Sequence, residues 1–285
     1  MMGGISVKGD LHCHTKLSDG SEGIEEVIAM SKRVGMDFLA ITDHDTVASF
    51  SRSKILGQRY GVQVVPGVEL SCIDRKRNRK VHMLCYLPEK PDRLEGHCLK
   101  ICKQREAAGT EMLKKVMQYF PITMEDVKKY SSSSTSLYKQ HIMHALMSYG
   151  YTTHIFSGLF KELFDSKSGR VYVSVPYPDV HEVLDLIHQA QGLAVLAHPY
   201  EYDSVDLLEE LAARKEIEGV EVYHSRCKPE DEGRLIEIAQ KNQLVMTGGS
   251  DFHGFYASRP SPLGNRFTPQ ESLNEFFRLK EQNNR

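Results

Sequence analysis

The chain has 285 residues, 40% of them apolar and 26% charged, and a formal net charge of −2. These values exclude a disordered chain and the strongly positive field of a non-specific nucleic-acid binder, while the length suits one α/β barrel of roughly 250 residues. No apolar run approaches the ~18 residues that a membrane span needs, and positions 1–8 lack a basic stretch followed by an apolar one, so the expected compartment is the cytoplasm, without a membrane partner.

The first apolar run, 7–11, leads into Asp10-Leu11-His12-Cys13-His14-Thr15 and then Ser18-Asp19-Gly20. In a strand, residues two apart face one side, so His12 and His14 can chelate one ion while Cys13 points away. An amphipathic stretch over 22–33 follows, with Ser21 as its expected N-cap and Gly35 as its stop. The second run, 38–42, ends in Asp43-His44-Asp45. His44 is the expected ligand there, Asp43 a support for a histidine or for the loop, and Asp45 a cap for a helix over 47–60.

The third run, 62–68, ends directly on Glu69, whose two oxygens suit it to bridge two cations. The basic stretch Arg75 to Lys80 reads as a solvated, hairpin-like loop, and His82 opens the fourth run at 81–87. The strand rhythm then stops. Helical patterns over 95–119, 124–130, 137–149 and 153–164 imply a helical cap over 97–175 inserted after the fourth strand, with a β-run only at 171–175. The barrel is expected over 1–96 and 176–285.

Beyond the cap, runs at 192–197, 219–223 and 244–248 alternate with helical patterns over 179–191, 204–215, 230–242 and 270–282. His198 ends the first of these runs in Ala-His-Pro, and His224 ends the second. The third leads into Gly248-Gly249-Ser250-Asp251-Phe252-His253, a second i, i+2 chelating pair, with Arg259 just beyond it. Seven near-continuous apolar runs separated by helices predict right-handed βα units and a mostly parallel sheet, whose strand ends would gather these ligand-type residues at one rim. The chain therefore reads as a multinuclear metallohydrolase. The six cysteines form no C-x-x-C pair and are expected reduced and partly buried.

Arg105, His141, His224 and Arg259 are expected substrate contacts, whereas His97, His144, His154, His181 and His188 stand outside the expected metal set.

Taken together, the H-x-H, S-D-G, T-D-H-D-T, G-V-E-L-S, A-H-P and G-S-D-F-H segments resemble those of the PHP (polymerase and histidinol phosphatase) superfamily of metal-dependent phosphoesterases, and they do so over nearly the whole chain. The resemblance implies a distorted (β/α)7 TIM-like barrel and three divalent ions, manganese by expectation, with zinc, iron or magnesium as alternatives. It assigns His12, His14, Glu69 and Asp251 to the first ion, Glu69, His82 and His198 to the second, and Asp19, His44 and His253 to the third. Capped relatives carry G-R-x-H-I-A-x-A-L, where this chain has Lys139 in place of the arginine that grips phosphate.

The implied reaction is hydrolysis of a phosphate ester, with a hydroxide bridging two cations attacking phosphorus. Glu69, His198 and Asp251 are its expected catalytic residues, with His198 or solvent protonating the leaving group. A nucleotide 3′,5′-bisphosphate is the first expected substrate. A cyclic phosphodiester or a short oligoribonucleotide cut from the 5′ end is the alternative on the same site, and duplex nucleic acid is excluded. An amidohydrolase and a non-catalytic, metal-stabilised binding module are the readings from other classes.

Overall fold

The computed structural model describes residues 7–283. The leader reading rests on positions 1–8, of which 1–6 lie outside the described residues.

The chain forms strands β1 (Lys8–Cys13), β2 (Phe38–Ile41), β3 (Gln63–Asp74) and β4 (Arg79–Tyr86), with α1 (Ile24–Arg33) and α2 (Phe50–Tyr60) between the first three. Helices α3 (Asp92–Val116), α4 (Met124–Ser131), α5 (Lys139–Ser148) and α6 (Gly158–Phe164) follow. The second half alternates α7 (Val180–Gln189), β5 (Leu193–Leu196), α8 (Val205–Ala213), β6 (Gly219–His224), α9 (Pro229–Asn242), β7 (Val245–Gly249), β8 (Thr268–Pro269) and α10 (Gln270–Asn283). The strand order is β7-β6-β5-β4-β3-β2-β1-β8, and the sheet nearly closes into a barrel. Across the seam, His14 donates its backbone N–H to the Phe252 carbonyl at 2.8 Å.

Two features differ from the sequence expectation. A short eighth strand, β8, pairs antiparallel with β1 and would not stand out as an apolar run, because it has two residues. More consequentially, β4 runs antiparallel to both β3 and β5. The reason is the connection: the chain between Asp74 and Arg79 is far shorter than the dozen or so residues that a parallel crossover requires, so it closes a hairpin. This reversal places the early residue His82 of β4 opposite Ser71, at the same rim as the C-terminal ends of the parallel strands.

The reversal also sets how the helical segment begins. β4 delivers the chain to the far end of the barrel, and the 25-residue helix α3, about 37 Å long, carries it back. Leu94 and Cys98 of α3 pack in the core between sheet and outer helices, whereas Met112, Leu113 and Val116 pack in a separate apolar cluster with α4, α5 and α6. The run 171–175 forms no strand. Val171 is buried in that second cluster, while Val173 and Val175 face a cavity beneath it.

Local details differ where tertiary bonds override short-range signals. α1 begins at Ile24 behind Gly23, and Ser21 instead accepts the Phe255 N–H through its hydroxyl at 2.7 Å. α2 begins at Phe50, so Asp45 caps no helix; its carboxylate accepts from the Ser71 N–H at 2.9 Å and from the Arg105 guanidinium. All six cysteines are free and buried. No helix among the described residues is long and apolar enough to cross a membrane.

Candidate metal centre

Because strand side chains alternate faces, His12, Glu69 and His82 are aimed by the strands that contain them, while His14, His44, His198 and Asp251 stand just past the ends of β1, β2, β5 and β7. Glu69 lies at the middle of the result, buried at 1% exposure. Its Oε2 is 3.2 Å from His12 Nε2, 3.1 Å from His14 Nε2 and 3.3 Å from His44 Nδ1. Its Oε1 is 2.6 Å from His82 Nδ1 and 2.9 Å from His198 Nε2. One carboxylate thus stands between two sets of imidazoles, with a different oxygen turned to each.

Asp251 and Asp19 extend the cluster. Asp251 Oδ1 is 3.3 Å from His14 Nε2, 3.4 Å from His253 Nδ1 and 3.6 Å from His12 Nε2. Asp19 Oδ1 is 3.3 Å from His253 Nε2 and 3.7 Å from His14 Nδ1, and its Oδ2 is 4.0 Å from His44 Nε2. Among the described residues, donor atoms gather into four metal-capable groups: His14, Asp19, His44 and His253; His12, His14 and Asp251; His44, Glu69 and His82; and His12, His198 and Glu221.

The chemistry of this donor set fits bound cations. Both ring nitrogens of His14, Asp19 Oδ1, His44 Nδ1, His82 Nε2 and His198 Nδ1 are buried without a hydrogen-bond partner among the described residues. Such groups are costly to bury unless something satisfies them, and imidazole with carboxylate suits manganese, iron or zinc. The electrostatics agree. Burial would raise the Glu69 carboxyl, yet His44, His82 and His12 hold it well below the usual range. Burial likewise opposes ionisation of Asp19 and Asp251, and neighbouring imidazoles, His253 foremost, overcome it. Burial pushes His82 down to about 4, leaving a neutral, ligand-ready ring. Burial would lower His14 too, but Asp251, Glu69 and Asp19 raise it to about 10, a field that calls for positive charge.

The rim itself is bent to bring these groups together. Asp45, His198 and Asp251 have φ values of 51°, 27° and 51°, a region that side-chain-bearing residues avoid and that stores ~1–3 kcal/mol each when the surroundings enforce it. Gly249 must be glycine for a different reason: a Cβ there would meet the His12 backbone nitrogen at 2.4 Å.

Two supporting carboxylates have roles that the sequence motifs do not assign. Glu221, from β6, accepts from His12 Nδ1 at 2.9 Å and from the His198 backbone N–H at 2.9 Å, fixing one ring and the turn that presents another. Its one sequence signal is a lone acid inside the apolar strand Gly219–His224. Asp10 accepts from the Ser250 and Gly264 N–H groups at 2.9 and 2.8 Å, tying β1 to the loop that carries Asp251. Asp43 holds the other ligand loop, accepting from Thr15 N, Thr15 Oγ1 and Ser18 Oγ at 2.6–2.7 Å. Glu221→Gln is expected to weaken metal affinity by about 10- to 100-fold, the usual effect of losing a partner that orients a ligand. Competitive titration against a chelator measures it, and unchanged affinity would contradict the assigned role.

Above the cluster lies a cavity of about 450 Å³, lined by Asp19, His44, Glu69, His82, His198, Asp251 and His253 below, and by Lys80, Arg105, Tyr138, Lys139, Tyr177 and Tyr202 around its sides. Lys139 stands at the start of α5, its ammonium 4.6 Å from the Tyr172 ring centroid; burial, with Lys80 nearby, lowers it to about 8 against the pull of Asp165. Arg105 faces the same cavity but is bound to Asp45 and lies over the Tyr138 and Tyr177 rings.

The remaining expected substrate contacts fall elsewhere. His141 is off the cavity wall, folded back so that its Nδ1 accepts the Tyr138 N–H at the start of its own helix. His224 is buried behind Asp251, 3.5 Å from Oδ2. Arg259 is exposed and off the wall, where Ala257, Ser258 and Arg226 stand instead. Of the histidines set aside, His144 stacks on Tyr130 between α4 and α5 at 3.8 Å, and His181 and His188 pair with surface glutamates.

The barrel, the rim cluster and the cavity above it together define a metal-dependent hydrolase. The PHP domain family model matches residues 10–192, and the chain belongs to that family. It is 36% identical over 253 residues to phosphoribosyl 1,2-cyclic phosphate 1,2-diphosphodiesterase of Eggerthella lenta, covering 88% of this chain and 96% of the relative. It is 25% identical over 250 residues to a 3′,5′-nucleoside bisphosphate phosphatase of Chromobacterium violaceum, covering 86% of each. A crystal structure from Bifidobacterium adolescentis, provisionally assigned as a metal-dependent phosphoesterase, superposes with a TM-score of 0.84 at 30% identity over 94% of each chain. The chain is accordingly a hydrolase of phosphoric ester bonds.

Proposed function

We propose that the substrate is a small phosphorylated metabolite, in the first instance a cyclic phosphodiester of a phosphorylated sugar, hydrolysed over a trinuclear centre. His12, His14, Glu69 and Asp251 would hold one divalent ion, Glu69, His82 and His198 a second, and Asp19, His44 and His253 a third, with manganese the expected metal. Bound there, divalent ions supply Lewis-acid stabilisation of phosphoryl oxygens and water acidified from pKa ~15.7 towards ~7.

The chain's own part is to place and shield. Glu69 fixes the spacing of the two imidazole sets, Asp251 and Glu221 orient His12 and His14 or their neighbours, and Lys139 offers positive charge to phosphate. His198 acts as a ligand, since its Nε2 is already turned to Glu69; protonation of the leaving alkoxide falls to solvent. Residues 97–175 act as a cap that keeps bulk water from the cavity.

One observation carries the choice of a small substrate: a single roofed cavity of about 450 Å³ has the metal-capable cluster as its floor, a volume suited to one metabolite and not to a polymer duplex. The 36% identity to the Eggerthella enzyme favours the cyclic ester over the nucleoside bisphosphate, at 25%. Chromatographic measurement of the products formed from phosphoribosyl 1,2-cyclic phosphate, adenosine 3′,5′-bisphosphate and short RNA by the manganese-loaded protein tests this. The cyclic ester is expected to give the highest kcat/KM. Faster turnover of RNA would overturn the proposal, and tight metal binding without turnover of any of the three would point to a binding module.

A further inference from the structure

We infer that Lys80 and Lys139 form a second anion subsite, which takes a phosphate monoester of the substrate remote from the bond that is cleaved. This deepens the small-metabolite reading above and rests on it.

Lys80 belongs to the basic run Arg75 to Lys80, yet it behaves unlike its neighbours. Arg75 pairs with Glu182, Lys76 with Glu210, Arg77 with Asp74, Asp206 and Glu210, and Arg79 with Asp203 and Asp206. These pairs clamp the β3–β4 hairpin to α7, α8 and the turn before α8. Lys80, two residues before His82 on β4, shares the face of that histidine and turns into the cavity. Among the described residues, neither Lys80 nor Lys139 has a carboxylate within 4.0 Å of its ammonium. The other cations on the wall, Arg105 and Arg226, are matched by Asp45 and Glu201.

Two tyrosine rings flank the Lys80 ammonium. Lys80 Nζ lies 5.2 Å from the centroid of Tyr202 and 5.7 Å from that of Tyr177. The Tyr202 ring in turn lies 5.0 Å from that of His82 and 5.5 Å from that of His198. Lys80 and two histidines of the cluster thus flank the same aromatic ring, which puts the ammonium beside the cluster floor, where it can meet a second group of the same small molecule. Aromatic faces can accommodate an ammonium, and Lys139 also donates to the Phe164 carbonyl at 3.3 Å, but among the described residues neither lysine has an anionic partner of its own, and a phosphate dianion would supply one. The two relatives named above act, by their names, on molecules that bear two phosphates.

The test compares phosphoribosyl 1,2-cyclic phosphate with ribose 1,2-cyclic phosphate, the same ester without the remote phosphate, for the manganese-loaded wild type, Lys80→Met and Lys139→Met. The wild-type preference in kcat/KM for the doubly phosphorylated ester is expected to fall by about tenfold or more in each variant, the size of a lost charged hydrogen bond. A preference unchanged within about twofold, as a merely structural lysine would leave it, overturns the inference. Calorimetric titration of ribose 5-phosphate gives a readout independent of turnover: binding to wild type that is lost in Lys80→Met supports the subsite, and binding indifferent to Lys80 overturns it. That titration decides even where neither ester is hydrolysed, an outcome that would sink the substrate proposal alone. Lys80→Gln serves if the methionine variant does not fold.

Discussion

Glu69→Gln is expected to reduce turnover of the phosphate ester by about 10³-fold or more and to lower bound metal by at least one ion per chain. The carboxylate presents one oxygen to His12, His14 and His44 and the other to His82 and His198. An amide keeps a single acceptor and turns two N–H donors towards one of those sets, so it can no longer link them. It also removes the negative charge that five buried imidazoles share, and a cation placed among them loses its counter-charge. Elemental analysis and steady-state kinetics on the same preparation check this. A variant with full metal content and activity within about tenfold of wild type would remove Glu69 from the bridging role.

Arg105→Ala is expected to lower the stability of the metal-free protein by about 3–5 kcal/mol, the cost of leaving one partner of a buried ion pair alone. Asp45 has no exposed surface, sits at a positive φ, and links three parts of the chain: its own rim loop, β3 through the Ser71 N–H, and α3 through Arg105. Arg105 also donates to Ser71 Oγ at 3.1 Å and fills the space between Tyr138 and Tyr177. Chemical denaturation measures the loss. Adding Asp45→Asn to Arg105→Met should restore much of it, because the uncompensated charge is gone. An Arg105→Ala protein within about 1 kcal/mol of wild type would mean that Asp45 finds other partners.

Most of the metal-capable residues were legible because they stand where an apolar strand run ends, and because His12 with His14 and Asp251 with His253 repeat the two-residue period of a strand; His82, which opens its run, is the exception. The direction of β4 was not read. Near-continuous apolar runs look alike in either orientation, and only the short stretch from Asp74 to Arg79 carries the signal for a reversal. His82 nevertheless reaches the rim because that reversal exchanges the two ends of its strand.

Long-range pairing hid the rest. Asp45 looks like a helix cap until Arg105, sixty positions on, claims it. Glu221 has no spacing partner near it in the sequence, and its meaning comes from His12, 209 positions away. Lys80 is masked by four basic neighbours whose carboxylate partners lie on other elements. His141, a motif position close to Lys139, bonds to its own helix start, a local pairing that the motif does not reveal.

Anomalous X-ray diffraction from crystals of the manganese-loaded protein bears most directly on the centre itself. The expected result is at least two peaks flanking the Glu69 carboxylate, about 3.5–4 Å apart, with a third among Asp19, His44 and His253. A map with no peak within about 4 Å of either Glu69 oxygen, from protein that still hydrolyses the ester, would contradict it.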